Sequence, residues 1–135
     1  MILLDGKKVK EEKLKELYEN IIKCKRKLTL AVVQVGNDEG SNVYIKNKGL
    51  LADKLGCNFI HIKYDDNVLE ETILSKIDEL NNDDLIDGIL VQSPLPKNLN
   101  EPLIQNRVLT SKDIDGLTDI NAGLLFHNKE CLVSC

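Results

Sequence analysis

Residues 28–35, LTLAVVQV, form an almost unbroken apolar run that Gly36 closes. A strand with one wet face alternates apolar and polar residues, whereas a run like this suits a parallel strand covered on both faces. Such a strand needs strand neighbours beside it and helices above and below it. The rest of the sequence alternates accordingly. Residues 9–24 place Leu14, Leu17, Ile21 and Cys24 at three-to-four spacing among lysines and glutamates, which predicts an amphipathic helix with one buried stripe. Residues 41–55 return to helical spacing through Val43, Leu50, Leu51 and Leu55, with Asp38 or Ser41 able to cap the first amides. Residues 58–64 read as a second strand, 69–80 as a helix with Ile73 and Ile77 inward, and 87–92 (DGILVQ) as a third buried strand. Pro94 and Pro96 end that strand because neither supplies a ladder N–H. Beyond them the chain is expected to be loop until a short helix near residues 121–126. The expected class is α/β: a three-layer αβα domain with a mainly parallel sheet, occupying residues 1–135.

Charge and apolar content narrow the function classes. The 18 basic and 22 acidic residues are scattered, so no basic face is offered to a nucleic acid. No apolar run approaches the roughly 20 residues that cross a bilayer, and the opening MILLDGKKVKEEK lacks signal-peptide character, so a cytoplasmic protein with no membrane partner is expected. The 42% hydrophobic content suffices for a core without disulfides, so Cys24, Cys57, Cys131 and Cys135 are expected as thiols. The Cys131 to Cys135 spacing is not a zinc spacing, and His61 and His127 stand alone, so no metal site is expected. The final residues CLVSC are apolar and resemble an element cut midway, which suggests a larger parent protein.

In a parallel sheet ligands gather at the carboxyl ends of the strands. Three segments are expected there: residues 36–41, the corner at 91–96 and the loop around Asp115. Tyr44 and Lys48 lie four apart on one helix and stack on one face. Each has an ordinary alternative, Lys48 as a solvated surface group and Tyr44 as a packing residue with a wet hydroxyl. Gln92 ends an apolar strand, so its carboxamide needs a partner, either a ligand-facing group or loop backbone. In SKDIDG, Asp113 and Asp115 flank Ile114, so only one of them points with a given face. A carboxylate there can take two parallel N–H bonds from a planar amidine edge, or it simply belongs to an Asp-Gly turn.

Taken together, VGNDEGSNVYIKNKGLLADKLG, DGILVQSPLP and KDIDGLTDINAG resemble the signature blocks of the bifunctional methylenetetrahydrofolate dehydrogenase/methenyltetrahydrofolate cyclohydrolase family, often called FolD. The blocks stand in the family's order and spacing and span essentially the whole chain. The resemblance implies that Lys48 is the catalytic lysine, Gln92 its partner and Tyr44 a catalytic and substrate-contacting tyrosine. It implies substrate contacts from Ile45, Val91, Ser93 and Asp115, the last holding the pterin, with Ser41, Pro94 and Cys135 on the substrate side. Ser93 stands where leucine is usual, Glu39-Gly40 where Pro-Ala is common, and Ser134 where proline precedes the family's cysteine. The first change makes a substrate-side contact polar.

The implied chemistry is hydride removal from methylene-tetrahydrofolate to NAD(P)+, then water addition to the methenyl cation to give formyl-tetrahydrofolate. This places the chain in one-carbon metabolism and, by extension, purine biosynthesis. A lysine that takes up a proton near neutral pH must be held neutral by burial or a nearby positive charge, and the methenyl cation supplies such a charge. The family binds NADP or NAD in a second, Rossmann domain, expected after Cys135, and its members resemble homodimers. The turn after the first strand reads GNDEGS rather than G-x-G-x-x-G, so this chain alone is expected to bind no cofactor and to lack dehydrogenase activity. With half the cleft wall in the second domain, weak cyclohydrolase activity or none is expected of it. The rival readings are a non-catalytic folate-binding or interaction module of the same fold, and a signalling receiver domain. The receiver needs clustered acidic residues at strand ends, which VQVGND and VQSPLP do not provide.

Overall fold

The structure, a computed structural model, describes residues 5–133. Its elements are α1 (Gly6–Ile21), β1 (Thr29–Val35), α2 (Glu39–Lys54), β2 (Asn58–Tyr64), α3 (Glu70–Asn82), β3 (Gly88–Val91), α4 (Glu101–Asn106) and α5 (Asp119–Phe126). The strands form a parallel sheet in the order β2-β1-β3. The run that opened the sequence reading is the central strand, and every residue of it but Leu30 is buried.

Side-chain alternation along β1 divides the core in two. Ala31, Val33 and Val35 face α3 and α4, joining Ile73, Ile77, Leu80, Ile89, Val91 and Ile104. Val32 faces the other way, against Ile45 of α2 and Leu90 of β3. Ile73 and Ile77 are wholly buried, each contributing about 1.5–3 kcal/mol relative to an exposed position. The result is the expected three-layer αβα arrangement. At the amino ends of the strands, Arg26 pairs with both carboxylate oxygens of Asp87 at 2.7 and 2.8 Å. Asp87 also accepts the Thr29 amide, tying the starts of β1 and β3 together.

Two expectations are corrected. The first helix begins three residues earlier than the spacing predicts and buries no residue completely; Leu14 and Ile21 are half covered, Leu17 is exposed, and Cys24 lies beyond the helix end. Of its stripe only Leu14 and Ile21 pack against the cluster of Ala52, Leu55 and Cys57. The region after Pro96 is not continuous loop either, since α4 forms there. Asn100 caps it by accepting the Leu103 amide at 3.2 Å, and Pro102 sits in its first turn, where no N–H is needed. Residues 131–133 form no strand, and the rest of CLVSC, Ser134 and Cys135, lies outside the described residues. Cys24, Cys57 and Cys131 are free thiols. No described helix is long and apolar enough to cross a membrane.

Candidate functional site

From central β1 the chain crosses by α2 to β2 at one edge, then returns by α3 to β3 on the other side. The strand order therefore reverses between β1 and β3, and the crevice at their carboxyl ends is where an open α/β sheet takes a ligand. The turn after β1 and the corner after β3 meet there. Val35, Gly36, Asn37, Asp38, Pro94, Leu95 and Pro96 line one recess together with Asp66. Gly36 has φ +81°, and a Cβ on it would lie 2.1 Å from Asp66 Oδ1, so the turn requires glycine.

Helix α2 delivers the central side chains. Asp38 caps it by accepting the Ser41 amide at 2.7 Å, and this bond is the main reason its carboxyl sits below the ordinary carboxylate value. Ser41, Ile45 and Ala52 are buried, and Lys48 completes their four-three-four spacing. Lys48 thus occupies the inward stripe of the helix and is half buried, which removes it from the class of solvated surface lysines. Its Nζ donates to Gln92 Oε1 at 3.0 Å. Gln92 Nε2 donates to the Ser93 carbonyl at 2.8 Å, and Ser41 Oγ donates to the same carbonyl at 3.2 Å. Gln92 therefore has its NH2 end tied to the corner and its acceptor end turned to the lysine.

The other sequence candidates are placed unevenly. Tyr44 flanks Lys48 one turn earlier, but its ring is 65% exposed and its hydroxyl has no partner among the described residues. Ile45 packs against Val32 and Leu90 in the core. Val91 is buried in the opposite core, and Pro94 is exposed at the rim. Ser93, expected to present a polar contact to a substrate, instead donates its hydroxyl to Glu101 and accepts from Gln105 Nε2 at 3.1 Å.

The two aspartates of DIDG divide their work. Ile89 pairs in parallel with Asp113, so two residues further on Asp115 comes level with Val91. This close approach requires Gly88, on which a Cβ would sit 2.3 Å from Ile114 Cγ2. Asp113 is 3% exposed and accepts the amides of Gly116 and Thr118 at 2.9 Å and Asn121 Nδ2 at 2.8 Å. Burial alone would raise its pKa, but the bonds from Asn121, Thr118 and Leu117 prevail and hold it below the ordinary value. Asp113 is thus the organiser of the loop. Asp115 is half buried and lines a small recess with Ile89, Val91, Gln105, Val108, Asp113 and Leu117.

The sequence reading missed Gln34, which is 1% exposed within the apolar run. Its Nε2 donates to Asn42 Oδ1 at 2.9 Å, and its Oε1 stands 2.9 Å from His61 Nε2. Because Gln34 Oε1 can only accept, His61 Nε2 carries the proton. A polar residue inside an otherwise apolar strand was the available signal. Among the described residues no cluster of three metal-ligating side chains occurs.

A nicotinamide dinucleotide does not fit these residues. The N-terminus of α2 would face its pyrophosphate, but the Asp38 carboxylate already caps it on the Ser41 amide, Glu39 stands in the first turn and Asp66 lines the same recess.

Residues 4–115 match the family described as tetrahydrofolate dehydrogenase/cyclohydrolase, catalytic domain. Among curated proteins, the bifunctional protein FolD of Clostridium tetani is 41% identical over 99% of this chain, and that of Mycoplasma capricolum 36% identical over all of it. The chain spans about half the length of these relatives, 50% and 49%. Among solved structures, a 5,10-methylenetetrahydrofolate dehydrogenase from the silkworm Bombyx mori superposes with a TM-score of 0.93 at 37% identity, over 98% of this chain and 47% of that one. The bifunctional FolD of Campylobacter jejuni gives 0.91 at 34% identity, over 100% and 49%. On this agreement of sequence and fold, the chain belongs to the tetrahydrofolate dehydrogenase/cyclohydrolase catalytic domain family.

Proposed function

We propose that residues 1–135 form the tetrahydrofolate-binding, catalytic domain of a methylenetetrahydrofolate dehydrogenase/cyclohydrolase, with Lys48 handling the proton in water addition. The observation that supports this best is the bond from Lys48 Nζ to Gln92 Oε1 at 3.0 Å, which joins an inward-facing lysine to the end of β3 at the crevice. One Nζ position is used by Gln92, and the others remain for water and substrate. In the hydrolytic reaction a water oxygen adds to the methenyl carbon while one of its protons passes to the Lys48 amine. That proton moves on to the departing ring nitrogen as the carbon–nitrogen bond breaks, and the remaining hydroxyl proton leaves to solvent as the formyl C=O forms. Gln92, as a neutral acceptor, orients the amine without supplying a charge that would keep it protonated. The half-exposed Asp115 receives the amidine edge of the pterin through two parallel N–H bonds, and the exposed ring of Tyr44 packs on the flat parts of the substrate.

Dehydrogenation additionally takes a nicotinamide cofactor to accept the hydride. Since these residues do not hold one, the 135-residue protein is expected to turn over no NAD(P)+ by itself, and a normal rate of NADPH formation from methylene-tetrahydrofolate would refute this. Pairing as a homodimer, a cytoplasmic location and service to purine biosynthesis belong to the same proposal. The alternative, a module that binds folate without transforming it, draws on the openness of Tyr44 and the half exposure of Lys48.

Titration of the 15N-labelled protein with tetrahydrofolate tests the binding site. Resonances of Tyr44, Lys48, residues 91–93 and Asp115 are expected to move together. Shifts confined to other surfaces, or none at millimolar ligand, would overturn the placement.

A further inference from the structure

Between the crevice and α4 lies a set of bonds that none of the roles above employs. Glu101 opens α4, and its carboxylate accepts the Ser93 hydroxyl and Gln105 Nε2 on Oε1 and the Leu95 amide on Oε2, the latter two at 3.1 Å. Gln105, one turn along α4, also donates to Ser93 Oγ at 3.1 Å. None of these partners is a cation. An exposed carboxylate in this position would ordinarily stay in water, whereas this half-buried one is spent on neutral donors of a single corner.

The corner so held is the one on which Gln92 depends. Ser93 offers its carbonyl to Gln92 Nε2 at 2.8 Å and to Ser41 Oγ at 3.2 Å, and this fixes which end of the carboxamide faces Lys48. Turned by half a rotation, Gln92 would set its Oε1 against the Ser93 carbonyl, acceptor against acceptor, and withdraw the acceptor that takes the Lys48 Nζ–H. We propose that Glu101 is a positioning residue: by clamping Ser93 and Leu95 it sets the orientation of Gln92 and through it the amine of Lys48. The functional importance of this clamp rests on the reading of Lys48 as the proton-handling group; the geometric part does not.

The two parts are separable by experiment. In 15N NMR of the 135-residue protein, the Gln92 side-chain amide is assigned from its loss in Gln92→Ala. Glu101→Ala is expected to move that signal toward free glutamine, Glu101→Gln to keep it near its wild-type position through the retained Leu95 acceptor, and Glu79→Gln, on the exposed face of α3, to leave it alone. Should Glu101→Ala not fold, Glu101→Asp, too short to reach both Ser93 and Leu95, decides by the same signal. In methenyl-tetrahydrofolate hydrolysis, Glu101→Ala is expected to lower kcat about tenfold with KM within about twofold, as for loss of orientation rather than binding. A Gln92 signal unmoved in Glu101→Ala would overturn the proposal, as would equal rates for Glu101→Ala and wild type. If the wild-type protein hydrolyses nothing, the Gln92 signal alone decides whether Glu101 sets the pair.

Discussion

Lys48 and Gln92, 44 residues apart, meet at 3.0 Å because the inward stripe of α2 points at the carboxyl end of β3. Gln92 brings no charge to the pairing, and that choice is open to test. Gln92→Glu keeps the shape while placing a carboxylate against the amine, which holds the proton in place. Hydrolysis of methenyl-tetrahydrofolate is expected to fall by about ten- to a hundredfold at neutral pH, within the range for loss of general-base function. Stopped-flow absorbance gives the rate, and an unchanged thermal unfolding temperature would show that the fold is intact.

Asp113 carries a different kind of weight. Its buried carboxylate serves the amides of Gly116 and Thr118 and the side chain of Asn121, so Asp113→Asn leaves donors facing a donor. A loss of about 1–3 kcal/mol in urea unfolding is expected. The sign with pH follows from its lowered pKa: its stabilisation is complete above the ordinary 3.8 and is lost as pH falls through the lower folded-state value. Acid unfolding followed by circular dichroism should therefore be less steep below pH 3.8 in Asp113→Asn.

Gly88→Ala would drive a methyl group to 2.3 Å from Ile114 Cγ2 and 3.2 Å from Leu30 Cδ2. Relief requires the 113–115 segment to move off β3. The expected cost is about 1–3 kcal/mol, as for overpacking. Because Asp115 rides on that segment, folate affinity should weaken alongside stability, measured by calorimetric titration and denaturation on the same sample.

Ile77→Ala acts on the core alone. Ile77 is wholly buried between α3 and the sheet and carries no polar group of the candidate site, and its truncation is expected to cost about 2–5 kcal/mol. Ligand binding at temperatures where the variant stays folded should match wild type, which separates core effects from site effects.

The layers of the fold were legible because their cause is local: LTLAVVQV and DGILVQ state their burial directly, NFIHIKY reads as a strand although it is an edge with no fully buried residue, and Ile73 and Ile77 mark the helix that covers one face. The α4 helix was not read because Pro102 and four polar neighbours look like loop, although Asn100-Glu101-Pro102 is a helix-start pattern. The first helix was over-read, since periodicity reports which face is apolar and says nothing of whether a partner covers its full length. The position of Lys48 on the inward stripe was obscured because Tyr44 drew attention to a face that turned out to be exposed. Neither the Gln34–His61 contact nor the clamp of Glu101 on Ser93 could be read, as each joins side chains whose proximity depends on strand register or on the corner.

The lysine itself offers the sharpest test. Wild type and Lys48→Met of this 135-residue protein should be compared for methenyl-tetrahydrofolate hydrolysis above the buffer rate, with tetrahydrofolate binding measured in parallel. The expected result is weak hydrolysis by wild type that disappears in Lys48→Met while binding persists within about tenfold. Equal hydrolysis by the two proteins would contradict the assignment of Lys48 as the proton-handling group.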